Sequence, residues 1–324
     1  MADGKILGLP GRDVAAWVRG AWVLGVDDLM AGAERLAAGL PAELGAVVGI
    51  PRSGMMVAGL ISALRHVPLL AFSGGAPVPL DGGQRTEAGY ACGNVLAVID
   101  DTAALGGHMQ AAFERARLSW AAGPVVRAAV FVSPEALAKV DFCVAVLGWP
   151  HYLLWNLANA FVGSVAGWDL DGVICQRCPA ECDDGGPGYA AWLASAEPYL
   201  LPVRCPARLI VSARPERFRA ATEEWVQRWG VRCEQLILGP WDGPADRPGA
   251  VEVGRWKAWK LGVGLVERYI EDDAGVAAGI ARYWPGEVVC LGGRAVWNFA
   301  WPRSRAEVLA GLRAQGRARR ARAV

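Results

Sequence analysis

Short apolar runs that stop at an acid, a proline or a glycine, each followed by a stretch of helical spacing, recur along the 324-residue chain. Ala46 to Ile50 stops at Pro51, and Met55 to Leu64 resumes with helical composition. Val95 to Ile99 ends in Asp100-Asp101, followed by Gly106-Gly107 and a helical stretch to Leu118, and Val125 to Val132 and Phe142 to Leu147 add two strands. Strands alternating with helices predict a parallel sheet, whose ligands bind beyond the carboxyl ends of its strands. Ahead of these, the spacing of Val14, Trp17 and Val18, then Leu29, Ala33, Leu36 and Leu40, predicts helices packed before a core strand.

The pattern restarts after the aromatic segment Trp149 to Trp168. Asp169-Leu170-Asp171-Gly172 follows a short apolar run, and Arg208 to Val211 is a strand ending at Ser212. Glu216 to Trp229 is helical and Gln235 to Leu238 is a strand. Tyr269-Ile270 then leads into Glu271-Asp272-Asp273, a helix to Tyr283 and the strand Val288 to Leu291. The expected fold class is α/β in two domains, 1–150 and 151–310, each a mainly parallel sheet flanked by helices, with a basic tail at 311–324. The length agrees, being about twice that of a domain of ~100–150 residues.

A hydrophobic fraction of 53% with 20% charged residues excludes a largely disordered chain. Lys+Arg 33 against Asp+Glu 32 removes any global electrostatic case for a nucleic-acid partner. Only the tail, with Arg313, Arg317, Arg319, Arg320 and Arg322, is locally basic, and it reads as a solvated helix end. Met1 to Arg12 lacks the basic start and apolar core of a secretory signal, so a cytoplasmic setting is expected, and the eight cysteines read as reduced thiols. Val144 to Trp168 carries no charge but includes Pro150, His151, Asn156 and Asn159, which suits a buried segment better than a membrane span. Phe72 to Tyr90, rich in Gly and Pro and carrying Asp81, Arg85 and Glu87, reads as a long exposed loop or short hairpin.

Two adjacent acids at a strand end, followed by small residues and a Gly-Gly pair opening a helix, can hold ribose hydroxyls or Mg²⁺ while loop amides receive a phosphate. The run Val95 to Met109, with Asp100, Asp101, Thr102, Ala103, Ala104, Leu105, Gly106, Gly107 and His108, resembles the phosphoribosyl-diphosphate motif of the type I phosphoribosyltransferases. About 50 residues earlier, Val48 to Gly54 resembles that family's pyrophosphate loop, with Arg52, Ser53 and Gly54 as diphosphate contacts. The resemblance implies that residues 1–150 adopt the type I phosphoribosyltransferase fold and bind phosphoribosyl diphosphate. It also makes Phe72 to Tyr90 a flap, with Arg85 a contact. Where the family offers late hydroxyl side chains, this chain has Leu105 and His108, which either weakens phosphate affinity or makes His108 a donor.

Asp169-Leu170-Asp171-Gly172 places two carboxylates two residues apart at a strand end, a spacing that lets one acid attack phosphorus while the other serves the leaving oxygen. With Ser212, Lys257 and Glu271-Asp272 following in order, residues 151–310 resemble the haloacid dehalogenase superfamily of phosphohydrolases. That resemblance implies Asp169 as nucleophile and Asp171 as general acid and base. Ser212 would bond the phosphoryl group, and Lys257 would neutralise charge, with Lys260 a second candidate. Asp169, Asp171, Glu271 and Asp272 would serve Mg²⁺. Asp183 and Asp184 belong to a substrate-facing cap or to a solvated loop, and Cys175, Cys178 and Cys182 are a metal cluster or three loop thiols.

Together the resemblances imply a bifunctional enzyme: phosphoribosyl transfer from phosphoribosyl diphosphate to a nitrogenous base, then Mg²⁺-dependent 5′-dephosphorylation through an aspartyl-phosphate. The alternative is a nucleotide phosphatase whose first domain senses phosphoribosyl diphosphate or nucleotide without catalysis. The partners implied are small molecules: phosphoribosyl diphosphate, a nucleobase or base-like acceptor and a nucleoside monophosphate. No membrane is implied, and a homodimer is left open.

Overall fold

The computed structural model describes residues 5–8, 22–80, 93–148, 151–158, 162, 165–202, 206–262 and 266–298. The helix expected around Val14 to Val18, Arg85 of the flap and the basic tail lie outside the described residues. The chain divides into two compact units, Met1–Trp155 and Asn156–Val324. Both are mixed α/β with parallel-dominated sheets, and no described helix is long and apolar enough to cross a membrane.

In the first unit, strands β1 (Lys5–Ile6), β3 (Leu44–Gly49), β4 (Leu69–Ser73), β5 (Ala76–Pro79), β6 (Val95–Ala103), β7 (Val125–Val132) and β8 (Phe142–Val146) form one sheet in the order β1-β8-β7-β6-β3-β4-β5. Every pairing is parallel except the β4–β5 hairpin, which takes up the start of the expected flap. A short parallel pair, β2 (Trp22–Leu24) with β9 (His151–Leu153), stands apart. All six residues of β3 are buried, as befits a strand covered on both faces.

Alternate residues feed two cores because successive strand side chains point to opposite faces. Val47, Ala97 and Ala128 pack with Leu29, Ala33 and Leu36 of α1 (Val26–Gly39) and with Val57, Ala58 and Ile61 of α2 (Gly54–Arg65). Their neighbours Val48, Val98 and Ala129 pack with Met109, Ala112 and Ala116 of α3 (Gly107–Ser119).

The second unit holds β10 (Ala166–Trp168), β11 (Leu209–Pro215), β12 (Leu236–Gly239), β13 (Arg268–Glu271), β14 (Glu287–Cys290) and β15 (Ala295–Trp297), ordered β12-β11-β10-β13-β14-β15, with only β15 antiparallel. The chain runs outward from β10 on both sides, so β10 stands at the switch point where an open sheet makes its ligand crevice. Helices α4 (Pro187–Ser195), α5 (Arg219–Arg228), α6 (Ala250–Leu261) and α7 (Ala274–Tyr283) complete the unit. A 3-10 turn, Glu216–Phe218, precedes α5 where one continuous helix is expected from the sequence.

Two strands run past their expected ends. β6 continues through Asp100 and Asp101 because β7 keeps pairing with it as far as Thr102↔Phe131 and Ala103↔Val132. β11 likewise carries Ser212 inside the strand.

Helices α6 and α7 cross where Gly254 faces Gly279. A Cβ on Gly254 would stand 2.4 Å from the Val276 carbonyl oxygen and 2.7 Å from the Gly279 Cα, both backbone atoms. Gly254→Ala therefore forces the helices apart at a cost of about 1–3 kcal/mol. Gly59, on α2 with nothing within 4 Å of a Cβ, is the converse, and Gly59→Ala stabilises by roughly 0.4–1 kcal/mol. Thermal melts of the two variants check both signs.

Candidate active sites

The first site forms where β3 and β6 lie side by side and their continuations diverge. Gly49 pairs with Ile99, and the Ile50 amide donates to the Ile99 carbonyl at 2.8 Å, which brings the turn Pro51–Gly54 against the acid end of β6. The fit is close: a Cβ on Gly54 would lie 2.7 Å from the Ile99 oxygen and 3.0 Å from Asp100 Oδ1. Arg52 is exposed on this turn, Ser53 is buried, and the Pro51–Arg52 peptide is cis.

Asp100 and Asp101 are 9% and 4% exposed. The Asp101 amide donates to Asp100 Oδ1 at 3.0 Å, and the indole of Trp155 donates to Asp101 Oδ2 at 2.6 Å. Burial, with the negative Asp101 beside it, pushes the Asp100 carboxyl from an ordinary 3.8 up to about 8.

The turn that follows is fixed from below. Ser133 Oγ donates to the Ala104 carbonyl, and Lys139 Nζ donates to the Leu105 carbonyl at 2.6 Å. Gly106 caps α3 in the left-handed region, at φ 68°, without a side-chain hydrogen bond. The first amides of that helix thus have no side-chain cap, which makes its start a place for an anion. His108 is exposed on this first turn, and the Thr102 hydroxyl is buried with no partner among the described residues.

The second site sits at the carboxyl end of β10. Register places Trp168 beside Ile210 on one side and Ile270 on the other, so Asp169 and Glu271 emerge from adjacent strand ends. Lys257 of α6 reaches between them, with Nζ 2.7 Å from Asp169 Oδ2 and 2.8 Å from Glu271 Oε2. All three are buried. Burial opposes the ammonium, but Asp169 and Glu271 outweigh it and hold Lys257 charged well above its usual range. Lys260, the second candidate lysine, is half-buried with Nζ over the Trp259 ring.

Asp169, Glu271 and Asp272 offer oxygens within 4.8 Å of one another, the one such group among the described residues. An all-oxygen donor set fits a hard cation such as Mg²⁺. Arg177 donates through Nε to Asp272 Oδ2 at 2.8 Å, while Asp273 caps α7 by accepting from Gly275 and Val276.

Asp171 stands outside this trio. Its carboxylate is taken by Arg214, whose Nη2 lies 2.7 Å from Oδ1 and whose Nε lies 3.2 Å from Oδ1 and 3.1 Å from Oδ2. Burial disfavours the Arg214 charge, but Asp171 overrides it and the guanidinium stays protonated above its usual range. Ser212 is buried two residues before it on β11, and its Oγ accepts the Arg214 amide at 3.3 Å. Asp184 accepts amides of Gly186, Gly188 and Tyr189 at the start of α4, and Asp183 pairs with Arg247 at 2.5 Å, so both acids are tied into loop structure.

Cys175, Cys178 and Cys182 are free thiols that gather into no metal-holding group among the described residues. Burial pushes the first two up to about 12, Cys178 with help from Asp183 and Asp171. Sequence reasoning assigned no contact at either site to Trp155, Arg177 or Arg214.

No protein-family model and no curated protein matches the chain. Among solved structures, a purine phosphoribosyltransferase from Pyrococcus horikoshii Ot3 is 17% identical and covers 42% of this chain and 93% of its own, with a TM-score of 0.33. A xanthine-guanine-hypoxanthine phosphoribosyltransferase from Helicobacter pylori is 12% identical over 42% of this chain and 93% of its own, at 0.32. An orotate phosphoribosyltransferase from Aeropyrum pernix is 18% identical over 37% and 70%, at 0.29.

Two outcomes follow for the free protein. Asp100 holds its proton in the folded state between 3.8 and about 8, so its contribution to stability is complete below 3.8 and is lost as pH rises through about 8. Melting temperatures at pH 5 and pH 8.5 should therefore lie closer together in Asp100→Asn than in the native chain. Asp171→Asn leaves a buried guanidinium without its counter-charge, a loss of about 3–5 kcal/mol in denaturant unfolding.

Proposed function

We propose that the chain is a two-site enzyme: the first unit transfers phosphoribosyl from phosphoribosyl diphosphate to a nitrogenous base, and the second removes the 5′-phosphate of the nucleotide. The observation that carries the second activity is Lys257 held between Asp169 and Glu271 at the switch point of its sheet, with Ser212 on the neighbouring strand β11 and Asp171 two residues past Asp169. The first rests on the turn Pro51–Gly54 meeting Asp100 at the switch point of the other sheet.

In the phosphatase, an Asp169 oxygen forms a bond to phosphorus while the ester P–O bond breaks. The electron pair of that bond goes to the leaving oxygen, which takes a proton from Asp171. Asp171 then accepts a proton from water as the water oxygen attacks the aspartyl-phosphate, freeing inorganic phosphate and restoring Asp169. Ser212 would donate to a phosphoryl oxygen, and Lys257 offsets the charge gathered around Asp169. Asp169, Glu271 and Asp272 would hold Mg²⁺, which when bound supplies further neutralisation of the phosphoryl oxygens.

In the first unit, the amides opening α3 and the turn at Arg52 and Ser53 would take the two phosphate ends of the donor, and the acid pair its ribose hydroxyls. Consumption of the nucleotide by hydrolysis makes the reversible transfer effectively one-way. Localisation in the cytoplasm and small-molecule partners belong to the same reading.

The burial of both acids, and the hydrogen bond that Trp155 makes to Asp101, favour a second reading in which the first unit senses the ligand without turning it over. Calorimetric titration of Mg²⁺-phosphoribosyl diphosphate into Asp169→Asn protein tests the first site. Saturable binding is expected, at least 10-fold weaker when Asp100 and Asp101 are both Asn, and pyrophosphate release on addition of a base separates transferase from sensor. For the second site, Asp169→Asn should abolish Mg²⁺-dependent release of phosphate from nucleoside 5′-monophosphates. Retained activity overturns the assigned nucleophile.

A further inference from the structure

Arg214 has no exposed side-chain surface, so it cannot touch a substrate directly. Its guanidinium lies 5.5 Å from the centre of the Trp192 ring and 5.7 Å from that of Trp225. Its Nη1 is buried with no partner among the described residues. Three contacts tie the rest of the fork to Asp171, whose side chain keeps 24% of its surface open. Two of them fall on Oδ1, leaving Oδ2 with a single contact at 3.1 Å.

We infer that Arg214 is a positioning residue for the proton donor, gripping both oxygens of Asp171 and so fixing the plane in which the carboxyl group meets the leaving oxygen of the ester. The inference rests on the phosphatase reading above. Arg214 is built for orientation rather than for charge alone. A guanidinium fork fixes the plane of a carboxylate, whereas an ammonium fixes one contact only. The aromatic faces of Trp192 and Trp225 beside it, and the backbone bond from its own amide to Ser212 Oγ, hold the fork in place. It also ties the donor to the strand that carries Ser212, so the group expected on the phosphoryl oxygens and the group expected on the leaving oxygen share one rigid element.

An ester that needs no proton on its leaving group separates this role from a structural one. The full-length chain, its Arg214→Met and its Arg214→Lys variants are assayed with Mg²⁺ on p-nitrophenyl phosphate, whose phenolate leaves unaided, and on a nucleoside 5′-monophosphate, whose alkoxide does not. Asp171 keeps access to water, so Arg214→Met leaves a carboxylate that solvent can satisfy. Arg214→Lys retains the charge as a second, milder variant. Arg214→Met is expected to lower kcat/KM, which covers only the steps up to departure of the leaving group, about 100-fold or more on the nucleotide, the scale of general-acid catalysis, and far less on the aryl ester, with Arg214→Lys recovering part of the difference. Equal losses on the two esters in both variants, or no loss on either, overturn the positioning role while leaving the phosphatase intact. A native chain that hydrolyses neither ester overturns the phosphatase reading and this inference with it.

Discussion

An ammonium group enclosed by two carboxylates is the constraint around which the second unit is arranged. Taken out of water, Lys257, Asp169 and Glu271 are each costly, and only mutual contact at 2.7 and 2.8 Å makes their burial tolerable. That contact fixes the pairing of β10 with β13, because a slip of one residue turns one carboxylate to the opposite face of the sheet. It also fixes how near α6 must come, and Gly254, one turn before Lys257, is the residue that permits the approach to α7. A site of this kind is preorganised: its contacts are in place before any substrate arrives.

The first unit solves a related problem with a different device. Two carboxylates side by side on β6 have no buried cation against them among the described residues, and the strain is relieved by protonation of Asp100 and by hydrogen bonds to Asp100 and Asp101. Both units nevertheless have their candidate sites in the same topological place, at the carboxyl ends of strands where the sheet order reverses. A phosphate-bearing ligand suits both: one site presents uncapped helix amides, the other a lysine and a set of oxygen donors.

Much of this was legible in the chain itself. Apolar runs such as Val95 to Ile99 and Val125 to Val132 name buried strands, and the acids that follow them mark where a ligand can bind. What was not legible depends on contacts between residues far apart in sequence. The expected ends of β6 and β11 fell short because strand length is set by the partner: β7 carries the pairing past Asp100 to Ala103. Of the four acids expected to serve Mg²⁺, the structure brings oxygens of Asp169, Glu271 and Asp272 together and turns the Asp171 carboxylate to Arg214, a contact between residues 43 apart in the chain. Trp155 lies 54 residues from Asp101, so no spacing along the chain shows that its indole reaches the acid pair. Cys175, Cys178 and Cys182 show the reverse case, in which a spacing that invites a metal is met by free thiols in a loop.

The central claim is that Asp169 becomes covalently phosphorylated, and trapping that bond is its most direct measurement. The full-length protein is mixed with Mg²⁺ and a nucleoside 5′-monophosphate, quenched in acid during turnover, reduced with borohydride and mapped by mass spectrometry. The account predicts reductive modification at Asp169 alone, absent when substrate is omitted. Phosphate release without any modification of Asp169, or modification at another residue, would contradict it.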